Sequence, residues 1–130
     1  MSASGEWGGA AAVAGGAAIG ALGRWGAGVW LNARWAGFPL GTLFVNLFGG
    51  LLMGVALVWL QEREYGALRL FVMTGVLGGF TTFSAFSAES LTLLERGQVA
   101  MAAAHTLAHV LGALACAALG VVLARAGGLT

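Results

Sequence analysis

The stretch "GGFTTFSAFS", residues 78–87, lies at the centre of an apolar run from about Leu68 to Leu91 that is long enough to cross a bilayer. Glycine and β-branched threonine both weaken a helix, so Gly78-Gly79 and Thr81-Thr82 predict an interruption. Backbone that leaves the helix at membrane depth has to be buried in protein or line a cavity, and its carbonyls can then coordinate a cation. The other reading is a continuous helix in which Gly78-Gly79 is a packing notch and the hydroxyls bond back to the previous turn. The residues alone leave both readings open.

The rest of the chain places this stretch in a membrane. Of 130 residues, 59% are hydrophobic and 8% charged, and the mean hydropathy is +0.90. A soluble domain carries about 25% charge, so this chain cannot cover a water-exposed surface. It reads as one all-α integral membrane domain over residues 1–130, with four spans at about 8–30, 40–60, 68–91 and 99–125. The connectors "LNARWAGFP", "QEREYGA" and "LLERGQ" are short, and Trp25, Trp30, Trp35, Trp59 and Tyr65 cluster at span ends, where amphipathic rings favour the headgroups. The N-terminus lacks the basic region of a signal peptide, so the first span is expected to be retained. No basic run suggests nucleic acid.

The six basic residues are all arginine: Arg24, Arg34, Arg63, Arg69, Arg96 and Arg125. Four spans put Arg63, Arg69 and Arg125 on one side and Arg24, Arg34 and Arg96 on the other. By the positive-inside rule that balance gives no preferred orientation, and insertion both ways allows an antiparallel twofold dimer. Small-residue stretches such as "GGAAIGALG", "GGLLMG" and "LGALACAALG" favour close helix contacts, within one subunit or between two.

Polar side chains at membrane depth are costly and few, so each is a candidate. Asn46, in "GTLFVNLFGG", must bond something when buried: it ties helices together or presents its NH2 to an anion. Thr42 lies one turn earlier on the same face. Phe83 and Phe86 share a helix face, and the positive ring edge could meet an anion, although ordinary packing is the plainer reading. Ser84 and Ser87 repeat that spacing and could form a ladder of donors. Arg24 either snorkels to the interface or draws anions into a vestibule. Glu89 would repel anions unless paired or protonated. His105 and His109, at i and i+4, suggest half of a metal site or a proton relay, but further ligands are scarce: Glu89 is the sole carboxylate within the spans, and Cys116 is distant. Cys116 itself reads as a packing residue.

Together "GTLFVNLFGG", "GVLGGFTTFSAFSAE", "LERG" and, in the first span, "GRWG" resemble the Fluc (CrcB) family of small bacterial fluoride channels, across essentially the whole chain. The resemblance implies four transmembrane helices with the third broken at its centre. It also implies an antiparallel dual-topology homodimer with two fluoride pathways in the cell (inner) membrane, passively exporting cytoplasmic fluoride. A structural sodium ion would be held at the dimer interface by backbone carbonyls, which by motif position belong to Gly78 and Thr81. Phe83 and Phe86 match the fluoride-facing phenylalanines, Asn46 the pore asparagine and Arg24 the vestibule arginine. Thr82, Ser84 and Glu89 match the polar track and its surroundings. In the fourth span His105, His109 and Ala113 stand where the family commonly carries tyrosine and serines. Protonated histidines there would add positive charge.

Competing readings are a small dual-topology multidrug or cation exporter and a non-conducting assembly subunit. The exporter wants a membrane-centred glutamate early in the chain, whereas Glu6 precedes the first span. An enzyme is not expected: no nucleophile–base set stands out. The absence of lysine excludes a Walker-type phosphate loop.

Overall fold

The computed structural model describes residues 3–34, 38–61 and 66–129, and every regular element among them is helical. In order these are α1 (Ala3–Asn32), α2 (Leu40–Trp59), α3 (Gly66–Arg69), a π-helical segment (Leu70–Leu77), α4 (Gly78–Phe80), α5 (Phe83–Glu95) and α6 (Val99–Ala126). The third span, Gly66–Glu95, runs from α3 to α5. Trp35, Arg63 and Tyr65, used above for the aromatic belt and the charge balance, lie outside the described residues.

Three of the four expected spans are long and apolar enough to cross a membrane: Leu40–Trp59, Gly66–Glu95 and Val99–Ala126. The first expected span lies within α1. α1 is a continuous helix of 30 residues, about 45 Å at ~1.5 Å per residue, so length is not what it lacks. Its alanines and glycines each contribute little apolar surface, and its place in the bundle comes from close packing instead.

Local signals set the ends. Pro39 opens α2 without a side-chain cap of its own; Asn32, at the end of α1, accepts the Gly41 N–H at 2.8 Å instead. α5 stops at Gly97, whose φ of +71° suits glycine, and the Gly97 and Gln98 amides close onto the Leu94 and Leu93 carbonyls.

The bundle is two close pairs. α6 packs along α2, and α1 packs along the π-helical segment and α4. Backbones touch in both seams. A Cβ on Gly54 would collide with the Ala117 carbonyl, and one on Gly79 would stand 2.6 Å from the Ala17 carbonyl. This is the close approach that small residues permit between membrane helices. The fully enclosed core is small, with Val45 and Leu60 each 1% exposed. Ile19, Leu22, Leu107, Leu114 and Val122 point outward, a distribution that only lipid or another protein surface satisfies.

The third span is broken, but not at its glycines. Gly78 and Gly79 keep helical bonding in α4, and the chain leaves the helix at Thr81 (ψ 158°) and Thr82 (φ −150°, ψ 118°) before α5 begins. Gly79 serves the seam with α1. The unwinding falls on the two β-branched residues, which prefer extended backbone.

Candidate functional site

The break is held open by one side chain. Asn46 Oδ1 accepts the Thr82 N–H at 2.8 Å, and Asn46 Nδ2 donates to the Thr82 carbonyl at 3.0 Å. A single amide thus satisfies both backbone groups of Thr82, much as a neighbouring strand would. Thr82 also caps α5, its hydroxyl accepting the Ala85 N–H at 3.2 Å. On the other flank the Thr81 N–H and hydroxyl both donate to the Leu77 carbonyl, at 3.0 and 2.9 Å, closing the preceding turn. Arg24 is partly buried, and its Nε donates to the Gly79 carbonyl at 3.1 Å, supplying a donor that the break removed.

Asn46 also faces α6, where its Nδ2 lies 3.1 Å from His109 Nδ1. The Thr82 N–H can only donate, which fixes which end of the amide is oxygen and therefore places Nδ2 towards the ring. His109 Nδ1 is then an acceptor, and the neutral imidazole carries its proton on Nε2. That nitrogen is buried and has no hydrogen-bond partner among the described residues.

A second polar chain runs one turn away. Thr42 donates to Glu89 Oε1 at 2.5 Å, Glu89 Oε2 lies 3.2 Å from His105 Nε2, and His105 Nδ1 lies 3.0 Å from the Ser90 hydroxyl. The Glu89 carboxylate is therefore satisfied by α2 and α6 together rather than bare. Ser90 was not singled out from the sequence. It follows Phe83 and Phe86 at i+7 and i+4, so the face they define already pointed to it.

Phe86 ties the aromatic side together. Its ring stacks on His105 (centroids 5.5 Å, planes 11° apart) and lies over His109 at 4.9 Å, while Phe83 sits 5.3 Å from it and is exposed. His105 and His109 are 4.4 Å apart, ring to ring. Asn46, Gly49, Gly50, Thr82, Phe83, Phe86, His109 and Ala113 line one cavity of about 380 Å³. The serines do not form a free ladder: Ser87 donates back to the Phe83 carbonyl at 2.9 Å, and the Ser84 hydroxyl lies 3.2 Å from that of Thr82.

Glu89, His105 and His109 bring one ligand atom each within 4.8 Å of one another, closer than their sequence positions suggested. The set does not suit a zinc centre. The Asn46 bond occupies His109 Nδ1 and leaves the proton on Nε2, so His109 offers no lone pair, and two ligands fall short of the three or four that zinc takes.

Fold and site define a small helical membrane protein whose third span is interrupted, with an amide, hydroxyls, imidazoles and aromatic rings gathered at the interruption. The sequence model of the family described as "CrcB-like protein, Camphor Resistance (CrcB)" matches residues 11–121. The chain belongs to this CrcB family. A curated relative from Bordetella petrii is 51% identical over 117 residues, covering 88% of this chain and 90% of its own length. Relatives from Thiobacillus denitrificans (47% over 111 residues; 84% of this chain, 90% of the relative) and Bordetella pertussis (48% over 112; 85% and 86%) are similar on the same scale. Each of the three carries the name "Fluoride-specific ion channel FluC".

Proposed function

We propose that this protein is a fluoride-selective channel, which lets cytoplasmic fluoride leave the cell passively and so limits its toxicity. The observation that carries the reading is the likeness to relatives named fluoride-specific channels, at 47–51% identity over 86–90% of their length. The geometry supports it. Fluoride is small and strongly hydrated, so a path has to replace its water with donors without holding it tightly. The cavity beside the break offers such a lining: hydroxyl and imidazole groups on one side and the rings of Phe83 and Phe86 on the other. Phe86 turns one side of its ring to both imidazoles, which leaves positive ring edge for an anion. Thr42 and His105 engage the Glu89 carboxylate, so its charge is not presented bare to a passing anion.

The finer features belong to the same proposal. The working unit is an antiparallel homodimer in the cell inner membrane, supported by the balance of arginines and the outward apolar faces. A sodium ion fits the break: among the described residues no donor reaches the Gly78 or Thr81 carbonyl, and Gly78 is exposed, where a second subunit could add its own pair. Such oxygens suit a hard monovalent cation. The protein performs no covalent chemistry.

The test is efflux from liposomes containing only the purified protein, read with a fluoride electrode beside a chloride control. Fast fluoride release with little chloride, abolished by Phe83→Ile, is expected. Release of drug-like cations instead would identify an exporter. No release of any ion across a range of sodium concentrations would identify a non-conducting assembly subunit.

A further inference from the structure

Three candidates stand out beyond the reading above: the Glu89–His105–His109 cluster, the Arg24 contact with the broken helix, and the unpartnered nitrogen of His109. The first fails on the tautomer of His109, and the second already serves the Gly79 carbonyl through Nε. The third carries furthest.

Asn46 is fully committed. Its oxygen takes the Thr82 N–H, one Nδ2 hydrogen goes to the Thr82 carbonyl and the other to His109 Nδ1. No N–H of Asn46 remains for an anion. What the same bonds create is a different donor, the His109 Nε2–H, with its proton placed by a chain that starts at the Thr82 backbone. His109 is 4% exposed, and its Nε2 has no acceptor among the described residues. A buried donor without a partner is costly unless something visits it.

We infer that the anion-recognising donor of this chain is the Nε2–H of His109, and that Asn46 is a positioning residue acting through it. The inference rests on the fluoride reading. Phe86 covers the imidazole at 4.9 Å, and both residues border the same cavity, so turning Phe86 aside opens the donor to that space. The enclosure is selective in itself. Little room exists beside Nε2, and a small anion needs less than chloride. A neutral N–H also attracts an anion without the trapping strength of a full positive charge.

The test uses the full chain, labelled with ¹⁵N-histidine and reconstituted in lipid nanodiscs. Long-range ¹⁵N–¹H correlation reports which ring nitrogen of His109 carries the proton. Sodium fluoride and sodium chloride are then titrated separately, with liposome efflux measured on the same preparations. The expected result is an Nε2–H tautomer whose signal moves saturably with fluoride and not with chloride. Asn46→Ser mixes the tautomers and weakens the fluoride response. His109→Phe lowers fluoride efflux about tenfold or more, as the loss of a hydrogen bond to a charged group would. His109→Gln, which keeps an N–H donor, recovers part of it.

A proton found on Nδ1 would overturn the inference, as would a silent Nε2–H in a protein that conducts fluoride, or undiminished conduction by His109→Phe. Should that variant not fold, the wild-type spectrum still decides. A saturable fluoride response in a protein that releases no fluoride would uphold the donor and overturn the channel. Neither response nor release would overturn both.

Discussion

Replacing Asn46 with alanine removes the side chain that satisfies the backbone at the break. Thr82 is 9% exposed, so water does not readily substitute. Its N–H and carbonyl would both lose their partners, at 2.8 and 3.0 Å, and His109 Nδ1 would lose its donor. Counting only the two backbone groups, at ~1–3 kcal/mol each for an orphaned buried group, the bundle should lose about 2–6 kcal/mol. Two measurements read this. Cys116 is the chain's single cysteine and is only partly exposed, so a thiol-reactive fluorogenic dye reports unfolding in detergent without a second label. Hydrogen exchange at the Thr82 amide reads the local event, and a loss at the lower end of that range accelerates it about thirtyfold. A stability change under ~1 kcal/mol with unchanged Thr82 exchange would refute the clamp, because the backbone would then have found other partners.

Other perturbations test separate parts of the structure. Gly79→Val pushes a side chain into the Ala17 backbone and should cost about 1–3 kcal/mol or more by overpacking the seam, read by the same dye assay. Gly97→Ala, at a φ of +71°, should cost roughly 1–2 kcal/mol, since a Cβ disfavours the left-handed region. Glu89→Ala strips the acceptor from the Thr42 hydroxyl and from buried His105 Nε2, and should destabilise by about 1–3 kcal/mol for each group left unpaired; Glu89→Gln, which keeps an oxygen, should cost less. A terminal tag should be labelled from both faces of intact vesicles in comparable amounts if the protein inserts both ways, and from one face if it does not.

How much of this was legible beforehand depended on whether a feature is local. The membrane setting and the short connectors followed from composition and length, which need no tertiary partner. The interruption of the third span was also signalled, because glycine and β-branched residues weaken a helix wherever they stand. Its position was not. Glycine is at least as helix-averse as threonine, and it takes two tertiary partners, Ala17 against Gly79 and Asn46 on the Thr82 backbone, to place the break after the glycines. The small side chains of α1 were visible in its alanines and glycines, and they suit the close packing it makes. Asn46 and His109 could each be picked out as polar residues in apolar runs. Their pairing could not, since it joins positions 63 residues apart. Periodicity also gave no warning of the π-helical winding over Leu70–Leu77, and nothing in the packing explains why that segment is wound more widely.

The Asn46 clamp has a consequence for biogenesis. The residue that holds the break lies 36 positions before Thr82, on a different span, so the interruption is not a property of the third span by itself. As Gly66–Glu95 enters the bilayer, its orphaned amide and carbonyl have no partner until it meets α2, and lipid supplies none. Without α2 both Thr82 backbone groups would be unpaired in lipid, so a peptide of this span alone is expected to wind straight through Thr81 and Thr82, which hydrogen exchange at the Thr82 amide would test.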